Sequence, residues 1–106
     1  MAKFNDLKLR QISEGVKEGR AVPVEKIGQR LRDIRQALGM TQKQLSKRLK
    51  ISQPLLSRIE DNTGSCAVKT VAKVAAALEC EFMGVITSGR TLEEMIKDQA
   101  KKKAKN

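Results

Sequence analysis

Ile27, Leu31, Ile34 and Leu38 recur at i, i+4, i+7 and i+11, with mostly polar residues between them. That spacing lines up one aliphatic face and predicts a helix over residues 24–38. Pro23 precedes it, where proline is tolerated at a helix start. Gly39 follows and can take the left-handed conformation that stops a helix. Leu45 and Leu49 are the next apolar pair, behind a T-x-x-Q capping box of Thr41 and Gln44. A second helix over 41–49 is expected. Ser52 then caps a third, with Pro54 in its first turn and Leu55, Leu56 and Ile59 as apolar positions. Asp61, Asn62, Thr63 and Gly64 are turn residues and end it. Val71, Val74, Ala75 and Leu78 pattern a fourth helix over 68–78.

The flanks are less regular. Phe4, Leu7, Ile12 and Val16 form an imperfect stripe over 3–18, and Gly15, Gly19 and Pro23 interrupt it. A short, weakly held helix and a linker are expected there. Residues 80–86 are apolar and partly β-branched or aromatic, which predicts a strand. Thr91 and Glu94 make another capping box before Leu92, Met95 and Ile96, so a final helix is expected over 91–100. Four lysines among residues 101–106 read as a mobile basic tail. The expected fold is mostly α: a helical bundle with a helix-turn-helix, a short C-terminal strand and a final helix. Its divisions are an arm at 1–22, a domain at 23–79, the strand and helix at 80–100 and the tail at 101–106.

Charge narrows the partner. The chain of 106 residues has 22 Lys+Arg against 12 Asp+Glu, a net +10, which suits a polyanion and nucleic acid first. Phe4 and Phe82 are the only aromatics, so the core must be aliphatic. No His is present, and Cys66 and Cys80 are not in a C-x-x-C pair, so neither a metal site nor another cofactor is expected. A disulfide between them stays open. With no His or Tyr and no glycine-rich phosphate loop, an enzyme is not expected either. The N-terminal residues carry no apolar signal core, and no run is long enough to span a bilayer. A cytoplasmic location with reduced thiols and no membrane partner is the expectation.

Two short helices joined by a tight turn at 49–52 make a shape that fits the major groove of DNA. Ser52, Gln53, Pro54, Ser57 and Arg58 lie on the face of the second helix opposite Leu56 and Ile59. Gln53 can pair with adenine and Arg58 with guanine, each in bidentate fashion, and Pro54 can touch a thymine methyl. Gln42 stands beside the unpaired N–H groups of the first helix, where a phosphate is favoured. Residues 39–60 resemble the XRE family of bacterial and phage repressors, relatives of Cro and the lambdoid repressors, and the likeness covers about 24–78. The resemblance implies a lambda-repressor-like bundle that binds double-stranded DNA in the bacterial nucleoid. It implies a base-reading role for Gln53 and a backbone contact for Gln42, with Lys43, Ser65 and Lys69 adding phosphate contacts. It also implies a buried ion pair between Arg35 and Glu60. The family's usual turn glycine is replaced by Lys50, whose charge would face the DNA, and its usual small alanine by Ser46.

Three flanking stretches carry a second resemblance. They are residues 34–42, residues 78–82 (Leu-Glu-Cys-Glu-Phe) and residues 91–96 (Thr-Leu-Glu-Glu-Met-Ile). They look like the group called mobile mystery protein A, XRE regulators typically encoded beside a Fic-domain protein. That implies an antitoxin-type module with a Fic-like toxin as partner, as the alternative to an autoregulatory transcriptional repressor. The S/T-x-x-x-E-G/N motif of Fic inhibition is not matched: Glu14-Gly15 comes near it, but Arg10 stands where Ser or Thr belongs. The expected strand would have an edge to cover, and pairing across a two-fold axis through Phe82, Val85 and Ile86 would make a homodimer. A nonspecific nucleic-acid binder on the same fold is a third reading, marked by a steep salt dependence without sequence preference.

Overall fold

Local capping sets where the central helices begin. In the computed structural model of the chain, which describes residues 6–104, Thr41 caps α3 (Gln42–Leu49). Its hydroxyl accepts from Gln44 N at 3.1 Å while Gln44 Oε1 accepts from Thr41 N at 2.9 Å, both halves of a capping box. Ser52 caps α4 (Gln53–Asp61) by accepting from Leu55 N at 3.2 Å. Pro54 lies in the first turn, where a missing N–H costs nothing. Before these runs α2 (Ile27–Ala37), and after them α5 (Val68–Ala77). Gly39, at φ 71°, provides the left-handed stop after α2.

These four helices enclose one aliphatic core. Leu31, Leu45, Leu56, Ile59, Val71, Val74, Ala75 and Leu78 are buried, and Ile27, Ile34, Met40, Leu49, Ile51 and Phe82 pack around them. Helix α4 packs against both α2 and α3, and α5 closes the other side of α3. Ser46, buried on α3, is small enough for that approach and returns its hydroxyl to Lys43 O at 3.0 Å.

One clasp joins the start of α2 to the end of α4. Thr63 is buried in a 3-10 turn (Thr63–Ser65). Its Oγ1 accepts from Gly28 N at 3.0 Å and donates to Val24 O at 2.8 Å. A Cβ at Gly28 would lie 2.3 Å from Glu60 O, so only glycine lets α2 come this close to α4.

Four details depart from the pattern-based expectations. Gly15 does not interrupt the first helix. It is buried inside α1 (Asp6–Glu18), where its missing Cβ leaves room for the Arg30 guanidinium. Gly19, at φ 67°, ends that helix, and Arg20 N returns to Gly15 O. Phe4 lies outside the described residues. The start of the second helix is a single 3-10 turn (Val24–Lys26) before α2 proper. Residues 80–88 form no strand: a ladder needs a second strand, and the described residues contain none. The last helix, α6 (Leu92–Ala104), continues through Lys101, Lys102 and Lys103, so these lysines belong to a helix rather than a tail. Lysine has good helix propensity, and positive charge at a helix C-terminus is favoured by the dipole. Lys105 and Asn106 lie outside the described residues.

Leu92 and Ile96 on α6 are largely exposed. The radius of gyration is 18.3 Å, against about 13 Å for a compact chain of this length. Among the described residues no helix is long and apolar enough to cross a membrane.

Candidate nucleic-acid interface

The turn between α3 and α4 is made by a left-handed residue. Lys50 has φ 57° and ψ 41°, and its N–H returns to Lys47 O. Ile51 N then closes onto Ser46 O at 3.0 Å. A non-glycine residue in this conformation costs about 1 kcal/mol. The cost is offset by tertiary packing on both sides, with Leu49 and Ile51 against the core.

Beyond the turn, α4 divides into two faces. Leu56, Ile59 and Glu60 are buried. Ser52, Gln53, Pro54 and Arg58 are exposed, and Ser57 is half-buried. The five residues expected to read bases therefore lie on the open side of the helix. The Ser52 hydroxyl is already engaged as the cap. Gln53 borders a shallow groove shared with Arg35, Gln36, Gly39, Met40, Thr41 and Gln42. This groove joins the first turns of α3 and α4.

Under the groove lies a buried carboxylate with four donors. Arg35 Nε donates to Glu60 Oε2 at 2.8 Å, and Arg35 Nη2 donates to Glu60 Oε1 at 3.0 Å. Gln42 Nε2 donates to Oε1 at 3.0 Å and Arg32 Nε to the same oxygen at 3.2 Å. Arg35 also donates to Met40 O at 2.9 Å, which holds the connection between α2 and α3. Burial works to raise the Glu60 pKa. The bonds from Arg35 and Gln42, the Arg35 charge and the Arg32 bond outweigh it and hold the carboxyl below its usual range. Arg32 also pairs with Asp61, the main cause of a guanidinium pKa above its ordinary value.

Gln42 thus has two connections. The sequence placed it at the head of α3 for a phosphate, and the structure adds a bond to Glu60 that uses one of its two amide N–H groups. That bond runs between residues eighteen apart, and no local pattern points to it. The remaining expected phosphate ligands are exposed and near helix starts or turns. Lys43 is in the first turn of α3, Lys50 in the turn and Lys69 in the first turn of α5. Ser65 lies in the 3-10 turn before α5 and donates to Asn62 O. Of the residues expected at a dimer contact, Phe82 packs against the core, while Val85 and Ile86 are exposed. Cys66 and Cys80 are both free thiols.

A helix-turn-helix family model matches residues 31–84, a little over half of the chain. The chain belongs to the XRE-type helix-turn-helix family. The match begins at Leu31 within α2 and includes the capped pair α3 and α4, the 3-10 turn Thr63–Ser65 and α5. Members of this helix-turn-helix family are DNA-binding transcription regulators, and double-stranded DNA is the partner that membership implies. A search of curated proteins and a search of solved structures each found no match.

Proposed function

We propose that this chain is a sequence-specific transcriptional repressor that binds an operator, including one near its own promoter, and excludes polymerase from it. The observation that carries this reading is the division of α4, with Gln53, Pro54, Ser57 and Arg58 opposite the buried Leu56 and Ile59. In this reading Gln53 and Arg58 discriminate bases, assisted by Ser52, Pro54 and Ser57. Gln42, Lys43, Lys50, Ser65 and Lys69 hold phosphate. The Arg35–Glu60 pair keeps α2 against the reading helix. A dimer would present two reading helices to half-sites about 34 Å apart. The net charge of +10 supplies the nonspecific part of the affinity.

The test is titration into duplex from the chain's own upstream region and into a shuffled duplex, at several salt concentrations. Selective binding is expected. Gln53→Ala or Arg58→Ala should each remove about 1–3 kcal/mol of discrimination. Equal binding to both duplexes would reject the repressor and leave a nonspecific binder. The second reading is a toxin-neutralising module for a Fic-like partner, drawing on the apolar side chains exposed after residue 82. Co-purification with a protein encoded next to the chain tests it.

A further inference from the structure

Charge on α6 is sorted along its length. Glu93 and Glu94 stand in the first turn and Lys101, Lys102 and Lys103 in the last, the order that the helix dipole favours. All three lysines are exposed. Asp98, the nearest acid on the helix, is engaged by Arg90. Among the described residues none of the three lysines has an ion-pair partner. At 3.6 residues per turn, three successive side chains fan over an arc of about 200°. The dipole offsets part of one charge, and the rest repel one another. A polyanion laid against the arc relieves that repulsion.

Two large polyanionic surfaces fit that requirement, an anionic membrane and a nucleic-acid duplex. A helix lying on a membrane inserts an apolar face beside its basic one. Here Leu92, Met95 and Ile96 lie at the acidic end, and beyond Ile96 the only apolar residues of the helix are Ala100 and Ala104. The lysine turn therefore has no apolar face to insert. A duplex asks for none. It offers a phosphate charge about every 1.7 Å of its axis, and lysine meets such a row as a flexible point charge. Double-stranded DNA is also the partner that family membership implies. The chain measures 61 Å along its longest axis, nearly two DNA turns of about 34 Å. Its reach exceeds the half-site that one α4 could read.

We propose that the last turn of α6 is a second DNA contact, in which Lys101, Lys102 and Lys103 bind phosphates of the duplex beside the site read by α4, whatever its sequence. The proposal rests on the DNA-binding reading above and adds affinity from flanking DNA to it.

The test titrates the full chain and its K101Q/K102Q/K103Q variant into the upstream duplex and a shuffled duplex of equal length, across salt concentrations. Glutamine keeps helix propensity, and circular dichroism checks that the helix is retained. The slope of log affinity against log salt should fall by about 2–3 on both duplexes, with their affinity ratio unchanged. K101R/K102R/K103R should restore the slope. Lysine acetylation read by mass spectrometry should show the three lysines protected by the shuffled duplex. An unchanged slope, or lysines that stay reactive on DNA, would overturn the proposal. So would protection by phosphatidylserine vesicles but not by DNA, which would assign the turn to a membrane. Selective binding with an unchanged slope sinks the α6 contact alone. A lowered slope without selectivity sinks the repressor alone.

Discussion

The bundle of α2 to α5 and the segment from residue 80 onward have similar apolar content and opposite fates. In the bundle, Leu45 and Leu56 are 0% exposed and Ile59 is 1% exposed. In the C-terminal segment, Leu92 and Ile96 keep about two thirds of their surface in water. Both regions show helical periodicity and both begin with a threonine cap, Thr41 for α3 and Thr91 for α6. Capping and periodicity therefore specify where a helix forms and which face is apolar, but not what covers that face. The bundle covers most of its own, although Leu38 stays 58% exposed. The last helix carries the same signal, yet the described residues leave its Leu92 and Ile96 largely in water.

The sharpest way to break the comparison is through Glu60. Glu60→Gln leaves the buried Arg35 guanidinium without its counter-charge and should destabilise the bundle by about 3–5 kcal/mol. Urea denaturation at neutral pH measures it. The same residue sets a pH dependence. Its folded pKa lies below the ordinary value of 4.5, so the unfolded chain binds its proton first as pH falls. The stability it contributes is fully present above that value and is lost as pH drops through the folded pKa. Wild-type stability should fall in that acid range, and Glu60→Gln should flatten that part of the profile. An unchanged profile would mean that Glu60 does not carry the linkage.

A matched pair of truncations comes next. Leu56→Ala should cost about 2–5 kcal/mol because it opens a cavity in a closed core. Ile96→Ala, measured by melting of the bundle in dilute solution, should stay within about 0.5 kcal/mol. Similar costs at the two sites would mean that α6 is packed on the bundle after all.

Thr63→Val probes the clasp between α2 and the end of α4. It keeps the shape of the side chain and strands Gly28 N and Val24 O, for an expected loss of about 1–3 kcal/mol. Thermal melting reads it, and no change would mean that water replaces both bonds.

Much of the bundle is legible in the residues because its determinants are local. The capping boxes, the Pro54 position, the Gly39 stop and the i, i+4, i+7 stripes all act within a few residues. The exposed face of α4 follows from the same periodicity. What was not legible depends on distant residues. The Gln42–Glu60 bond, the Thr63–Gly28 clasp and the fit of Gly15 against Arg30 each join different elements. Gly28 and Gly15 left one faint trace, a glycine inside a helical pattern, which signals close approach as readily as a break. The 80–86 segment has strand-like composition, and the described residues hold no second strand to pair with it.

Lys50 yields the smallest effect and separates fold from function most cleanly. Its left-handed conformation costs about 1 kcal/mol that a glycine would not incur. Lys50→Gly should therefore stabilise the bundle by up to about 1 kcal/mol, less what glycine gives back in the freedom of the unfolded chain. If Lys50 holds phosphate, the same change should weaken binding to operator and shuffled duplex alike and reduce the salt slope by about 1. Melting and titration on the one variant then move in opposite directions. A stability gain with an unchanged salt slope would show that the turn lysine is tolerated there and does not touch DNA. A parallel loss of stability and binding would mean that the Lys50 side chain supports the turn through its own packing, and that its charge is incidental.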